Sequence, residues 1–248
     1  MIDRFHEICL RGSVAKLVLA LGIFVSFVGS TSGQPFVFYA SGSGHQTLYQ
    51  GEGGGNPFAS SLVEILQQNE MRLADFPETL RALTVKKSQG FQTPDVPKVA
   101  SAQDWKLVPW HSNEKRIALV LVVSNYEGSG VSSLPGAAHD ARRMAAALAK
   151  AGFETELALD LDLSGMREKL TEFETASSGS DVAAIYTTGH GIEFNGVAYI
   201  VPGDFPLSLG NTALRSKALP LPEIEKAVHA RKINLVFYGG CRDNPLAE

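Results

Sequence analysis

Between residues 116 and 238 the chain alternates between two periods, and this alternation limits the possible folds more than any other feature. Arg116–Asn125 (RIALVLVVSN) is an apolar, β-branched run that ends in a Gly/Ser-rich turn. Such a run reads as a strand buried on both faces. Pro135 opens a helical pattern in which Ala138, Ala141, Ala145 and Leu148 form one stripe, and Gly152 stops it. Glu154–Leu159 reads as a second strand, and Met166, Leu170 and Phe173, at i, i+4 and i+7, as a helix. Val182–Thr187 is a third strand. Pro222 opens a short helix with Ile224 and Val228 on one face, and Ile233–Tyr238 (INLVFY) is a fourth strand. Alternating strands and helices imply right-handed crossovers and a parallel sheet, with sites forming at the carboxyl ends of the strands.

The first half is less regular. Phe36–Ala40 reads as a strand and Ser41–Asn56 as a glycine-rich loop. Asn56–Pro57 starts a helix, with Asn as cap, Pro at the first helical position, and Leu62, Ile65 and Leu66 on its apolar face. Leu73–Leu83 reads as a second helix, although Pro77 lies near its start. Residues 94–113 hold Pro94, Pro97 and Pro109 and no clear period, which suggests an extended strand followed by a linker. There is no internal repeat.

Composition narrows the function. With 248 residues, 44% of them apolar and 19% charged, the chain can bury a sizeable core. A net charge of −4 leaves no basic stripe for a nucleic acid. The longest cation cluster, Lys86–Lys87, reads as a solvated helix end. The loop at 128–136 contains glycine but no G-x-G-x-x-G and no phosphate-loop lysine, which argues against a nucleotide site. The two cysteines, Cys9 and Cys241, make no disulfide framework, and no Cys/His cluster has metal-ligand spacing. No metal or other cofactor is expected.

The N-terminus has the order of a secretory signal. Arg4, Arg11 and Lys16 precede an apolar run from Leu17 to Val28, and small residues follow to Gly33. The run is short for a bilayer span, which needs about 20 apolar residues. Residues 1–33 are therefore read as a signal peptide, with an uncleaved membrane anchor as the alternative. The expected location is periplasmic or secreted, with no stable membrane span after cleavage. Cys241 would then be the one thiol of the mature chain.

Two strand ends carry the chemistry. Val182–Tyr186 runs into Thr187-Thr188-Gly189-His190-Gly191, and Ile233–Tyr238 runs into Gly239-Gly240-Cys241-Arg242-Asp243. The imidazole and the thiol stand 51 positions apart, and neighbouring parallel strands would bring them together. An unperturbed thiol has a pKa near 8.5, so it needs a base to become a nucleophile. A nearby imidazole can stabilise the thiolate and then protonate the leaving amine. Backbone N–H groups of Gly191 and Cys241 could hold the oxyanion of a tetrahedral intermediate. Taken singly, a strand-end cysteine is more often a small buried hydrophobe, and a loop histidine a surface residue. Their pairing at two strand ends of one sheet is what argues for a site.

Gly189-His190-Gly191 and Gly240-Cys241-Arg242-Asp243-Asn244-Pro245 resemble the histidine and cysteine motifs of caspase-like peptidases, especially bacterial relatives of metacaspases. Ser124-Asn125-Tyr126, Leu134-Pro135-Gly136, His139-Asp140-Ala141-Arg142 and Tyr199-Ile200-Val201-Pro202 also resemble the family pattern, over about residues 116–244. The resemblance implies a three-layer α/β/α sandwich with a mostly parallel sheet, His190 as general acid/base and Cys241 as nucleophile. It also implies that Asp140 lines a pocket for arginine or lysine before the cut bond. On its own, Asp140 reads only as a surface carboxylate near a helix N-terminus. Relatives often carry an aspartate two residues before the cysteine. Gly239 stands there in this chain, which would weaken or broaden selectivity for a basic residue.

The order of segments is unusual. The family's small-subunit half should follow the cysteine, yet Phe38–Gly44, Gly51-Glu52-Gly53 and Asn56-Pro57-Phe58 resemble that half, and Gln92-Thr93-Pro94 resembles its last strand. The expectation is a circular permutation: a small-subunit-like segment at 34–94, a linker at 95–115 and a catalytic segment at 116–248. A linker of 21 residues can extend roughly 70 Å. A gene product spanning two partial domains, and halves exchanged between chains, remain open as alternatives. The functional expectation is a cysteine endopeptidase acting on peptide or protein substrates. The competing one is an inactive caspase-like module that binds peptides or proteins without cutting them.

Overall fold

A computed structural model describes residues 33–246 apart from 52–54, 69, 101, 110, 111 and 128. The signal-like segment and Cys9 lie outside the described residues. No helix among the described residues is long and apolar enough to cross a membrane.

The elements run β1 (Phe36–Tyr39), α1 (Pro57–Leu66), α2 (Phe76–Lys87), β2 (Arg116–Val122), α3 (Pro135–Lys150), β3 (Glu154–Leu159), α4 (Leu163–Ser178) and β4 (Val182–Thr188). There follow β5 (Gly191–Phe194), β6 (Val197–Ile200), a 3₁₀ turn at Leu207–Ala213, α5 (Leu214–Lys217), β7 (Leu219–Pro220), α6 (Leu221–Ala227) and β8 (Ile233–Tyr238). The main sheet has five parallel strands in the order β1-β8-β4-β2-β3.

Every residue of β2, β4 and β8 is buried, as their continuous apolar runs require. Alternate side chains serve opposite faces. Ala118, Val120, Val122, Ala184, Tyr186, Leu235 and Phe237 pack under α1, α2 and α3. Ile117, Leu119, Leu121, Ala183, Ile185 and Val236 pack under α4 and α6. The result is the three-layer α/β/α sandwich expected, with a mostly parallel sheet.

The N-terminal strand belongs to this sheet. β1 pairs with β8 in the register Phe36↔Leu235 to Tyr39↔Tyr238. The Phe38 ring lies 4.9 Å from Phe76 and 5.2 Å from Phe237, so the first and last described strands share one aromatic cluster. Asn56 caps α1, its side chain accepting the Phe58 N–H at 2.8 Å, and Pro57 occupies the first turn.

Three details differ from the sequence reading. The buried stripe of α3 is Ala137, Asp140, Ala141, Met144, Ala147 and Leu148, with Ala138 and Ala145 only half-buried. Alanines on every side hid the rotation of that helix. α2 starts at Phe76 instead of Leu73. Pro77 fits the first turn, where a missing N–H costs nothing, and the Leu73 N–H bonds the Trp105 carbonyl instead. Finally, no strand forms among the described residues of 88–115, only isolated bridges Tyr39↔Asp95 and Arg72↔Lys106. Pro94, Pro97 and Pro109 remove ladder donors there. This stretch is packed all the same: Leu107 is buried, and the Arg116 guanidinium donates to the Leu107 and Lys106 carbonyls and pairs with Glu114 at 2.7 Å.

Candidate active site

β4 and β8 are neighbours, with Thr187 opposite Tyr238. His190 and Cys241 each lie three residues past that pair, so both leave the same end of adjacent strands. The Gly239 N–H donates to the Thr187 carbonyl at 2.7 Å and ties the two ends together. One pocket is lined by His190, Cys241, Asp140, Gly239, Thr188, Thr47, Tyr49 and Asn56 among others. It therefore gathers the histidine, the cysteine and the aspartate singled out from the sequence.

His190 is held from three sides. Its N–H donates to the Tyr126 hydroxyl at 2.8 Å, and that hydroxyl donates in turn to the Val201 carbonyl at 2.9 Å. The two rings meet edge to face at 4.5 Å. Burial pushes the Tyr126 phenol well above its usual range, so it stays a neutral donor. The third contact joins the imidazole Nε2 to the Ser132 carbonyl at 2.8 Å. A carbonyl can only accept, so Nε2 carries the hydrogen, and in the neutral ring Nδ1 is left as the proton acceptor. The carbonyl is presented by a pinned loop: the Tyr126 N–H bonds Ser133 Oγ at 2.9 Å, and the Leu134 N–H bonds the Ser124 carbonyl at 2.7 Å.

Cys241 is half-buried, and its thiol is free of any disulfide. A loop of the N-terminal segment lies against the sulfur. The Thr47 N–H donates to Sγ at 3.3 Å, and Thr47 Oγ1 lies 3.4 Å from it. Gly191 packs directly on the Cys241 backbone. A Cβ at 191 would collide with the Cys241 carbonyl and the Tyr238 hydroxyl, so only glycine permits the approach. The Tyr238 hydroxyl donates to the Tyr199 carbonyl at 2.8 Å and also reaches the Cys241 carbonyl at 3.3 Å.

Asp140 is 1% exposed, not the surface carboxylate that its place near a helix start suggests in isolation. Its Oδ2 accepts the Asn56 N–H at 2.7 Å, and Oδ1 lies 3.3 Å from Arg143. Burial raises its pKa, against the opposing pull of that N–H and of Arg143. Gly55 is closed down on the carboxylate so tightly that a Cβ there would overlap it. At 239, a Cβ would stand 2.8 Å from Thr188 Oγ1, so the place of a second pocket carboxylate is filled by the threonine. The pocket holds about 80 Å³, well below the 300 Å³ or more of an ordinary ligand site.

Two residues at the site had no assigned role in the sequence reading. Thr47 lies 194 positions from the thiol, and no local pattern announces it. Arg242 stood inside the cysteine motif. Its guanidinium, 10% exposed, pairs with Glu193 at 2.6 Å and Asp95 at 3.0 Å and stacks on the Tyr39 ring.

Among the described residues no cluster of His, Cys, Asp and Glu could hold a metal ion. No curated protein matches the chain. The sequence model of the caspase domain matches residues 115–245. That span is more than half of the chain and contains β2 to β8 with both strand-end motifs, so the protein belongs to the caspase domain family, whose members are cysteine peptidases.

Proposed function

We propose that the protein is a cysteine endopeptidase with Cys241 as nucleophile and His190 as general acid/base. The observation that carries this is the His190 Nε2 contact with the Ser132 carbonyl, which leaves Nδ1 of the neutral ring as acceptor, together with the pocket that His190 and Cys241 both line. In the reaction, Nδ1 takes the thiol proton and Sγ attacks the scissile carbonyl. The C–N bond then breaks as the imidazolium protonates the leaving amine. Water, deprotonated by the same nitrogen, hydrolyses the thioester and restores the thiol. The Gly191 and Cys241 N–H groups are the proposed oxyanion donors, supported by the close packing of these two backbones. Asp140 is the proposed partner of a basic side chain before the cut bond. To reach it, such a side chain has to pass Thr47 and Tyr49, which line the same pocket, and share the carboxylate with the Asn56 N–H.

The permuted order is part of the proposal. It is supported by β1, which extends the sheet beyond β8, and by α1, which packs on α3. The placement outside the cytoplasm rests on the basic–apolar–small pattern of residues 1–33 alone.

The test is hydrolysis of fluorogenic peptides ending in arginine, lysine, aspartate or alanine. Cleavage after arginine and lysine is expected, with a loss of at least about 10³-fold in Cys241→Ala. Cleavage that persists in Cys241→Ala would refute the assignment. The second reading, a binding module, is favoured by the Thr47 contact on the sulfur and the closed pocket. Binding of the arginine peptide without turnover would select it.

A further inference from the structure

Arg242 follows the thiol in sequence but is turned away from the pocket, into a junction of four chain segments. Nε donates to Glu193 at 2.6 Å, and Nη1 donates to Asp95 at 3.0 Å and to the Ser41 carbonyl at 3.2 Å. The guanidinium lies 4.0 Å from the centroid of the Tyr39 ring. Its backbone is engaged on both sides: the Arg242 N–H bonds the His45 carbonyl at 2.9 Å, and the Arg242 carbonyl accepts the Gly44 N–H at 3.0 Å. Glu193, 11% exposed, is also bonded by Ser43 Oγ. Burial lowers the guanidinium pKa, but hydrogen bonds to Glu193 and Asp95 outweigh it and leave the net shift upward.

The junction has a direct bearing on the thiol. The stretch from Tyr39 to Thr47 leaves β1, passes Arg242 at Ser41, Gly44 and His45, and delivers Thr47 onto Sγ. Glu193 lies in β5, and its N–H bonds the Asp243 carbonyl at 3.1 Å, so the hairpin after His190 joins the same junction. A planar fork can serve two carboxylates and a carbonyl while stacked on a ring, which an ammonium cannot do.

We propose that Arg242 is a positioning residue that clasps segment 39–47 onto the loop carrying Cys241, with Glu193 and Asp95 receiving its two arms. It thereby sets the place of Thr47 and of the Cys241 backbone N–H. The inference takes Cys241 as the nucleophile and so rests on the peptidase reading.

The test compares the wild-type chain with Arg242→Ala and Arg242→Lys. In Arg242→Ala, kcat for the arginine peptide is expected to fall roughly 10²-fold, as a misplacement of about 1 Å can cause, with KM changed far less. Tens of millimolar guanidinium should restore part of kcat. Residue-resolved hydrogen exchange should show the Gly44, Thr47 and Arg242 amides opening at least about tenfold faster, with β4 amides unchanged. Arg242→Lys keeps the charge and one carboxylate contact and is expected to fall between the two, which also decides the matter if Arg242→Ala does not fold. Unchanged exchange at Gly44 and Thr47 would overturn the clasp, as would equal acceleration in β4, which reports only a global loss of stability. If the wild type cleaves nothing, the peptidase reading fails, and the exchange measurement alone judges the clasp.

Discussion

At the scale of single residues, Asp140 shows how burial and a proposed function pull apart. A carboxyl whose folded pKa lies above its unfolded value favours folding while it is protonated. That contribution is lost as pH rises through the folded pKa. At neutral pH an ionised Asp140 is therefore a liability to stability, only partly offset by the Asn56 N–H and Arg143. Asp140→Asn keeps an acceptor for that N–H and removes the buried charge. Thermal unfolding at pH 7 should show a Tm higher by about 2–4 °C, the equivalent of ~1 kcal/mol in a chain of this size. The same variant should lose at least tenfold in cleavage after arginine relative to alanine. A lower Tm would mean that the contact with Arg143 outweighs desolvation. Asp140 and Arg242 were visible in the sequence only as members of motifs. Their partners come from residues 39–56, 95 and 193, and no spacing rule connects those positions.

At the scale of elements, the long apolar strands were plain to read because burial on both faces demands a continuous run. The β5–β6 hairpin went unread although it carries a strong local signal. Asn195–Gly196 joins its strands, both residues with positive φ (52° and 76°), as a two-residue hairpin turn requires. This hairpin sets the backbone at Gly191 against that of Cys241. Gly191→Ala must push the two backbones apart, because the added carbon meets a carbonyl and a buried hydroxyl and not the end of a flexible side chain. Steady-state kinetics should show a loss of about 10²-fold, with the fold retained by circular dichroism. Near wild-type activity would show that the Gly191 and Cys241 backbones need not be this close for catalysis.

At the scale of the whole molecule, residues 36–87 are integral to the sandwich, with β1 in the sheet and α1 and α2 beside α3 on one face. Phe38 is fully buried between Phe76 and Phe237. Phe38→Ala should cost about 3–5 kcal/mol, lowering Tm by roughly 10 °C. Unfolding should remain one transition, coincident by fluorescence and circular dichroism. Two separated transitions would instead mean that residues 36–87 fold apart from the sheet.

The parallel sheet and the strand-end positions of His190 and Cys241 follow from local sequence, the α/β/α layering was implied by the resemblance, and that β4 and β8 are neighbours is seen only in the folded chain. Apolar period and strand-end position are local quantities, and right-handed crossovers leave few topologies open. The rotation of the alanine-rich helix α3, the burial of Asp140, the Thr47 contact on the sulfur and the Arg242 junction were settled only in the folded chain. Each depends on which distant segment packs where, and that is decided by summed burial over the whole core.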